Sequence, residues 1–151
     1  EYYLTAGQDA EAKMHYETAI QESVDYYEML RDMSNNGVSP APEVPTMDAV
    51  EDYIEDPDIS WDMASSEMEK LELIAEQKWL HFNVIQSYES WAEMRRLDAL
   101  DLDFWVDQSN QQSLPPSRWL YPDSERIFNS ENYETVLSDD ILSRNVFWDV
   151  D

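Results

Sequence analysis

Cysteine is absent from the 151 residues, which removes a disulfide framework, a thiolate metal site and a cysteine nucleophile together. The absence is silent on compartment, because a sizeable helical domain can be exported without disulfides. Glycine is almost as scarce. Two residues are too few for a turn-dense all-β protein or a Gly-rich phosphate-binding fold. Basic residues are rare as well: nine lysines and arginines stand against 34 acids, for a formal net charge of −25. Nucleic-acid binding needs a positive footprint that displaces counterions, so no nucleic-acid partner is expected. Docking on an anionic lipid surface is disfavoured for the same reason. The imbalance is steepest over residues 1–66, where 16 acids meet only Lys13 and Arg31. Charge of this kind reads as a solvated surface more than as an acidic docking face. No apolar run approaches the ~20 residues needed to span a bilayer. The chain starts at Glu1-Tyr2-Tyr3, without an initiator Met, a signal peptide or a lipidation cysteine. It is read as a mature, trimmed or partial product whose start does not carry its address.

What is present points to a folded helical domain. Hydrophobic residues make up 42% and aromatics 13%, far above what a disordered acidic tail carries, and the length suits one domain with a real core. Gln8 to Met33 is predicted as an amphipathic helix, with Ala12, Tyr16, Ala19, Ile20, Tyr27 and Leu30 on one face. Ser23 shares that face and is small enough to let another helix approach. Asn35-Asn36-Gly37 tolerates positive φ and marks the stop. Val38 to Pro45 holds three of the seven prolines and reads as a loop. Thr46 then caps a short helix through Tyr53 that ends before Pro57. Asp58 to Ala64, with Trp61, is a connection.

Ser66 to Phe82 is a second helix, capped by Ser65 or Ser66, with Met68, Leu71, Ala75, Trp79 and Phe82 as its apolar stripe. Tyr88 to Leu97 is a third, with Tyr88, Trp91, Ala92 and Arg95 on one side. After Asp98 the periodicity fades into a loop-rich tail that still carries Trp105, Trp119, Tyr121, Phe128, Tyr133, Phe147 and Trp148. So many aromatics in irregular chain imply a tail packed on a scaffold. The first helix has the Gly7…Ala10…Tyr16…Ala19-Ile20 spacing of a tetratricopeptide unit. A single such unit cannot bury its hydrophobic face without stacked neighbours, so the chain reads as a piece of something larger.

Six stretches in shared order resemble the C-terminal region of the SusD/RagB-like family, in its SusD-like branch. The tetratricopeptide-like helix carries Ala19-Ile20-Gln21-Glu22-Ser23 and Tyr26-Tyr27, followed by Asp52-Tyr53-Ile54 and Pro57-Asp58-Ile59-Ser60-Trp61-Asp62. Ile74-Ala75-Glu76-Gln77-Lys78-Trp79-Leu80 precedes Tyr88-Glu89-Ser90-Trp91-Ala92-Glu93-Met94-Arg95-Arg96. Pro116-Ser117-Arg118-Trp119-Leu120-Tyr121-Pro122-Asp123-Ser124-Glu125 follows, and Phe147-Trp148-Asp149 closes the series. Asn83-Val84-Ile85-Gln86 stands where the family pattern has glycines. The resemblance implies a nutrient-binding outer-membrane lipoprotein at the cell surface. Its lipid would be carried on an N-terminal part not present in this chain, and it would deliver a starch-like oligosaccharide or another nutrient to a SusC-like TonB-dependent transporter.

The residues themselves give catalysis little support. His15 and His81 sit on predicted helices with no Ser or Cys elbow and no metal-ligand spacing, and read as ordinary surface or packing histidines. Among 34 acids, chance carboxylate pairs carry no information on glycoside hydrolysis. Asp98, Asp101, Asp103 and Asp107 form the best oxygen-donor cluster, yet no glycine turn accompanies them and Gln112 stands where a bidentate acid belongs. No enzyme, no metal and no cofactor is therefore expected. Arg95, Arg96, Arg118 and Arg126 lie near Trp91, Trp119 and Tyr121, where a structural role as planar donors pinning the tail to the helix pair is favoured over binding a carboxylated ligand. For a sugar, an exposed aromatic face flanked by polar groups is required, and Trp61 and Trp105, both in connections, are the candidates; core anchoring is the competing reading for each.

The expected architecture is all-α, a tetratricopeptide-like helical scaffold fragment with a loop-rich C-terminal cap. Residues 1–37 form the tetratricopeptide-like helix, 38–65 a connection, 66–97 a helix pair and 98–151 the tail. The alternative function, from a different class, is a helical-repeat protein–protein interaction module with no small-molecule ligand.

Overall fold

The computed structural model describes residues 1–34, 43, 45–100, 102 and 115–147. Among these, every regular element is helical and no strand occurs, so the protein is all-α. The chain divides into two compact units, Glu1–Leu100 and Asp101–Asp151.

The first unit opens with a single helical turn, α1 (Tyr2–Thr5), and reverses at Gly7, whose φ of 72° is the left-handed conformation that glycine adopts without a Cβ penalty. The long helix α2 (Asp9–Ser34) follows, with Asp9 and Glu11 in its first turn and Arg31 in its last, charges that suit the helix dipole at each end. Its buried residues are Ala12, Tyr16 and Ile20, four apart on the predicted face. Helix α3 (Met47–Glu55) starts where Thr46 accepts a hydrogen bond from the Ala49 amide at 3.2 Å. A 3₁₀ turn at Trp61–Met63 then carries a tryptophan into the core.

Helix α4 (Glu67–Phe82) begins with a reciprocal cap. Ser66 Oγ accepts from the Glu69 amide at 3.1 Å, and the Glu69 carboxylate accepts from the Ser66 amide at 2.9 Å. That carboxylate also accepts from the Ser65 amide and hydroxyl, at 2.6 and 2.7 Å. The apolar stripe differs in part from the predicted one: Ala75 is buried as expected, but Leu73 is buried as well and Met68 is 57% exposed. Helix α5 (Ser87–Leu97) packs on α4 and ends at Asp98, which takes the left-handed C-cap conformation at φ 45°. Its expected face is corrected as well. Tyr88 and Ala92 are exposed and Ser90 is the buried residue, a small side chain that lets two helix backbones come close.

The core of this unit gathers Leu4, Ala12, Tyr16, Ile20, Val50, Trp61 and Leu73, with Tyr3, Val24, Ile54, Ile59, Ala64, Leu71 and Ile74 packed around them. Ion pairs clip its rim: Lys13 to Asp62, Lys70 to Asp9 at 2.6 Å, and a four-member group in which Lys78 and Arg96 are shared by Glu1 and Glu93.

The second unit contains two short helices, α6 (Asp123–Phe128) and α7 (Ser130–Val136), then a 3₁₀ turn at Leu137–Asp139. The sequence predicted irregular chain here. Neither helix buries a residue, so neither leaves an apolar stripe to be read. Asp140 ties the unit together, accepting from the Tyr121 amide at 2.9 Å and the Tyr133 hydroxyl at 2.7 Å. Both hydrogen bonds hold its carboxyl below the ordinary range, the backbone one most. Arg118 lies over the Tyr121 ring, 4.9 Å from its centroid, and donates to the carbonyl of Asp139 at 3.4 Å.

Candidate functional site

The first unit holds a groove of about 770 Å³ running along α2 from Ala12 to Arg31, with Ile74, Gln77, Lys78, Leu80, His81 and Phe82 of α4 as the opposite wall. Tyr3 and His15 stack at one end, with ring centroids 4.9 Å apart and planes 8° from parallel. Tyr26, Tyr27, His81 and Phe82 form an aromatic cluster at the other. The lining is predominantly apolar.

Several polar side chains of the groove have partners within the protein. Ser23 Oγ lies 2.8 Å from Nδ1 of His81, and the Tyr27 hydroxyl donates to the His81 carbonyl. Tyr16 donates to the Ile59 carbonyl at 2.8 Å, and burial pushes its phenol well above the usual tyrosine range. Gln77 donates to the Tyr53 hydroxyl at 3.0 Å. Lys78 donates to Glu1 at 2.8 Å and to Glu93 at 2.6 Å. Arg96, hydrogen-bonded to Glu93, is the largest influence on that carboxylate and, with Lys78, outweighs its burial, bringing it down to about 2. For Glu1, burial pushes upward most, but the hydrogen bonds from Lys78 and Arg96 together win and leave it lowered.

A family model described as SusD-like, starch-binding and associating with the outer membrane matches residues 2–122. The chain belongs to the SusD-like family. No curated protein and no solved structure matches it. For a SusD-like chain the description names binding and an outer-membrane association. Among the described residues, no helix is long and apolar enough to cross a membrane, and no group of three or more His, Asp or Glu stands close enough to hold a metal ion.

The two tryptophans picked out as sugar platforms fare differently. Trp61 is 2% exposed. Its ring packs on Tyr16 with centroids 5.3 Å apart, Lys70 lies 5.2 Å from its centroid, and its indole N–H reaches Asp9 at 3.3 Å. A sugar needs an open ring face, so this tryptophan is corrected to a core anchor whose short 3₁₀ turn points it inward. Trp105 lies outside the described residues, as do Asp101, Asp103 and Asp107 of the acidic run.

Sequence reasoning missed the groove as a unit. Ser23 was legible as a point of close approach, and His81 as a packing histidine. Their hydrogen bond spans 58 residues, and no local pattern reports a pair that distant. Tyr3 and Glu1 gave no signal either, because α1 is one turn long.

Proposed function

We propose that this SusD-like protein is a non-catalytic subunit that captures a starch-like oligosaccharide at the cell surface and delivers it to a SusC-like TonB-dependent transporter. A lipid on a preceding part of the polypeptide would tether it to the outer membrane. The family match over residues 2–122 carries this reading. The strong negative charge agrees with a neutral ligand handled away from nucleic acid and anionic lipid. Within the chain, Trp105 is the aromatic we assign to the sugar, since Trp61 is enclosed. The mechanism is binding and release, with no bond made or broken.

Calorimetric titration against soluble maltooligosaccharides tests the reading. Saturable heat without product, reduced at least about tenfold in affinity by Trp105→Ala, is the expected result, a loss of the size that one stacked aromatic supports. Heat that survives Trp105→Ala moves the ligand elsewhere on the chain. Appearance of shortened sugars would overturn the binding role in favour of hydrolysis.

A further inference from the structure

We propose that the surface methionines of this chain are oxidation sites that take up oxygen from a hydroperoxide while the fold stays intact. The inference is independent of the glycan reading.

Placement carries it. Methionine is an adaptable filler of irregular gaps in protein cores. Here none of the seven methionines belongs to the buried core cluster. Met14, Met29, Met33, Met47, Met63 and Met68 are each 48–73% exposed, and Met94 on α5 is half-buried.

The six are also dispersed. Met14, Met29 and Met33 stand on α2, Met47 opens α3, Met63 closes the 3₁₀ turn and Met68 is the second residue of α4. None of them lines the apolar groove, so an element stacked in that groove would leave them outside the contact. Four separate elements carry them, and no single neighbour covers all four.

The chemistry follows from the sulfur. Without cysteine, the chain has no thiol to react first, and the thioethers are its only sulfur. A sulfur lone pair attacks one peroxide oxygen and the O–O bond breaks. The thioether becomes a sulfoxide, oxidised by two electrons, and hydrogen peroxide is reduced to water. In a core, the new S=O would be a polar group buried without a partner, at a cost that disrupts packing. At the six exposed positions water solvates it. The step is also one that sulfoxide reductases reverse.

The test treats the chain with hydrogen peroxide and follows it by mass spectrometry and peptide mapping. Six oxygens, about 96 Da, should add to the exposed methionines, with Met94 at least about fivefold slower. Helical circular dichroism and the urea midpoint of the six-oxygen product should match those of the untreated chain. Leu73→Met supplies the contrast, because it places a thioether of similar volume in the core. That introduced thioether should oxidise slowest of all, and its oxidation should lower the urea midpoint. A six-oxygen chain that loses helicity or stability would overturn the proposal. So would uptake that stops short of six, or a core thioether in Leu73→Met that oxidises as fast as the surface set.

Discussion

Removing the indole of Trp61 leaves a void between Tyr16 and the 3₁₀ turn and strips Asp9 of one hydrogen-bond donor. Trp61→Ala should therefore cost about 3–5 kcal/mol of stability, seen as a lower urea midpoint. Had the ring been a sugar platform, stability would hold and only affinity would fall. The two outcomes are cleanly separable in one pair of measurements. The sequence put Trp61 in a polar connection, and that much is true of its neighbours: Asp62 and Met63 are both exposed. The inward turn of one residue depends on a single turn of 3₁₀ helix between Ser60 and Ala64, which composition does not encode.

At the scale of elements, the junction of α1, α4 and α5 is held by Glu1, Lys78, Glu93 and Arg96. Glu93 titrates near 2 in the folded chain, below its ordinary value, and Glu1 is lowered too. A carboxylate lowered on folding adds stability that is complete above its unfolded pKa and disappears as pH falls through the folded one. The contribution of this junction should fade between about pH 4.5 and about pH 2. Urea midpoints measured across that range should fall less steeply in Glu93→Gln, which has already given up the charge, than in the unaltered chain. An equal slope in both would mean that the acid loss arises elsewhere.

The same elements show how far the sequence could be read. Helix α2 was legible from its apolar spacing, and α3 and α4 from their caps. Thr46 and Ser66 cap as expected, and Ala12, Tyr16 and Ile20 are buried as expected. The orientation of α4 and α5 was less legible. Met68 and Leu73 are both apolar, and only the position of α2 and the 3₁₀ turn decides which is covered. Helices α6 and α7 bury nothing and stayed invisible. The groove escaped because its walls are far apart in sequence and its chemistry is satisfied across them.

For the whole molecule, 34 acids against nine bases make self-repulsion a standing cost of compactness. Only part of it is relieved by the ion pairs at the rim of the first unit. Added sodium chloride should raise the melting temperature between about 0.01 and 0.5 M, as the screening length shrinks from about 30 Å to a few ångströms. A fall in melting temperature over that interval would mean that the attractive pairs, such as Lys70 with Asp9, outweigh the repulsion. The same field keeps anionic polymers and surfaces away, which suits a neutral nutrient.

The turn at Gly7 brings Glu1 back onto Arg96, a contact spanning 95 positions of the chain. Closing so large a loop costs entropy that no local contact repays, so this ion pair is expected to form late, after α2 and α4 have met. A bond absent from the transition state governs how fast the fold comes apart and leaves the rate of its assembly alone. The turn at Tyr2–Thr5 is thus expected to act as a brake on unfolding, which Glu1→Gln should show in stopped-flow measurements as faster unfolding at an unchanged folding rate.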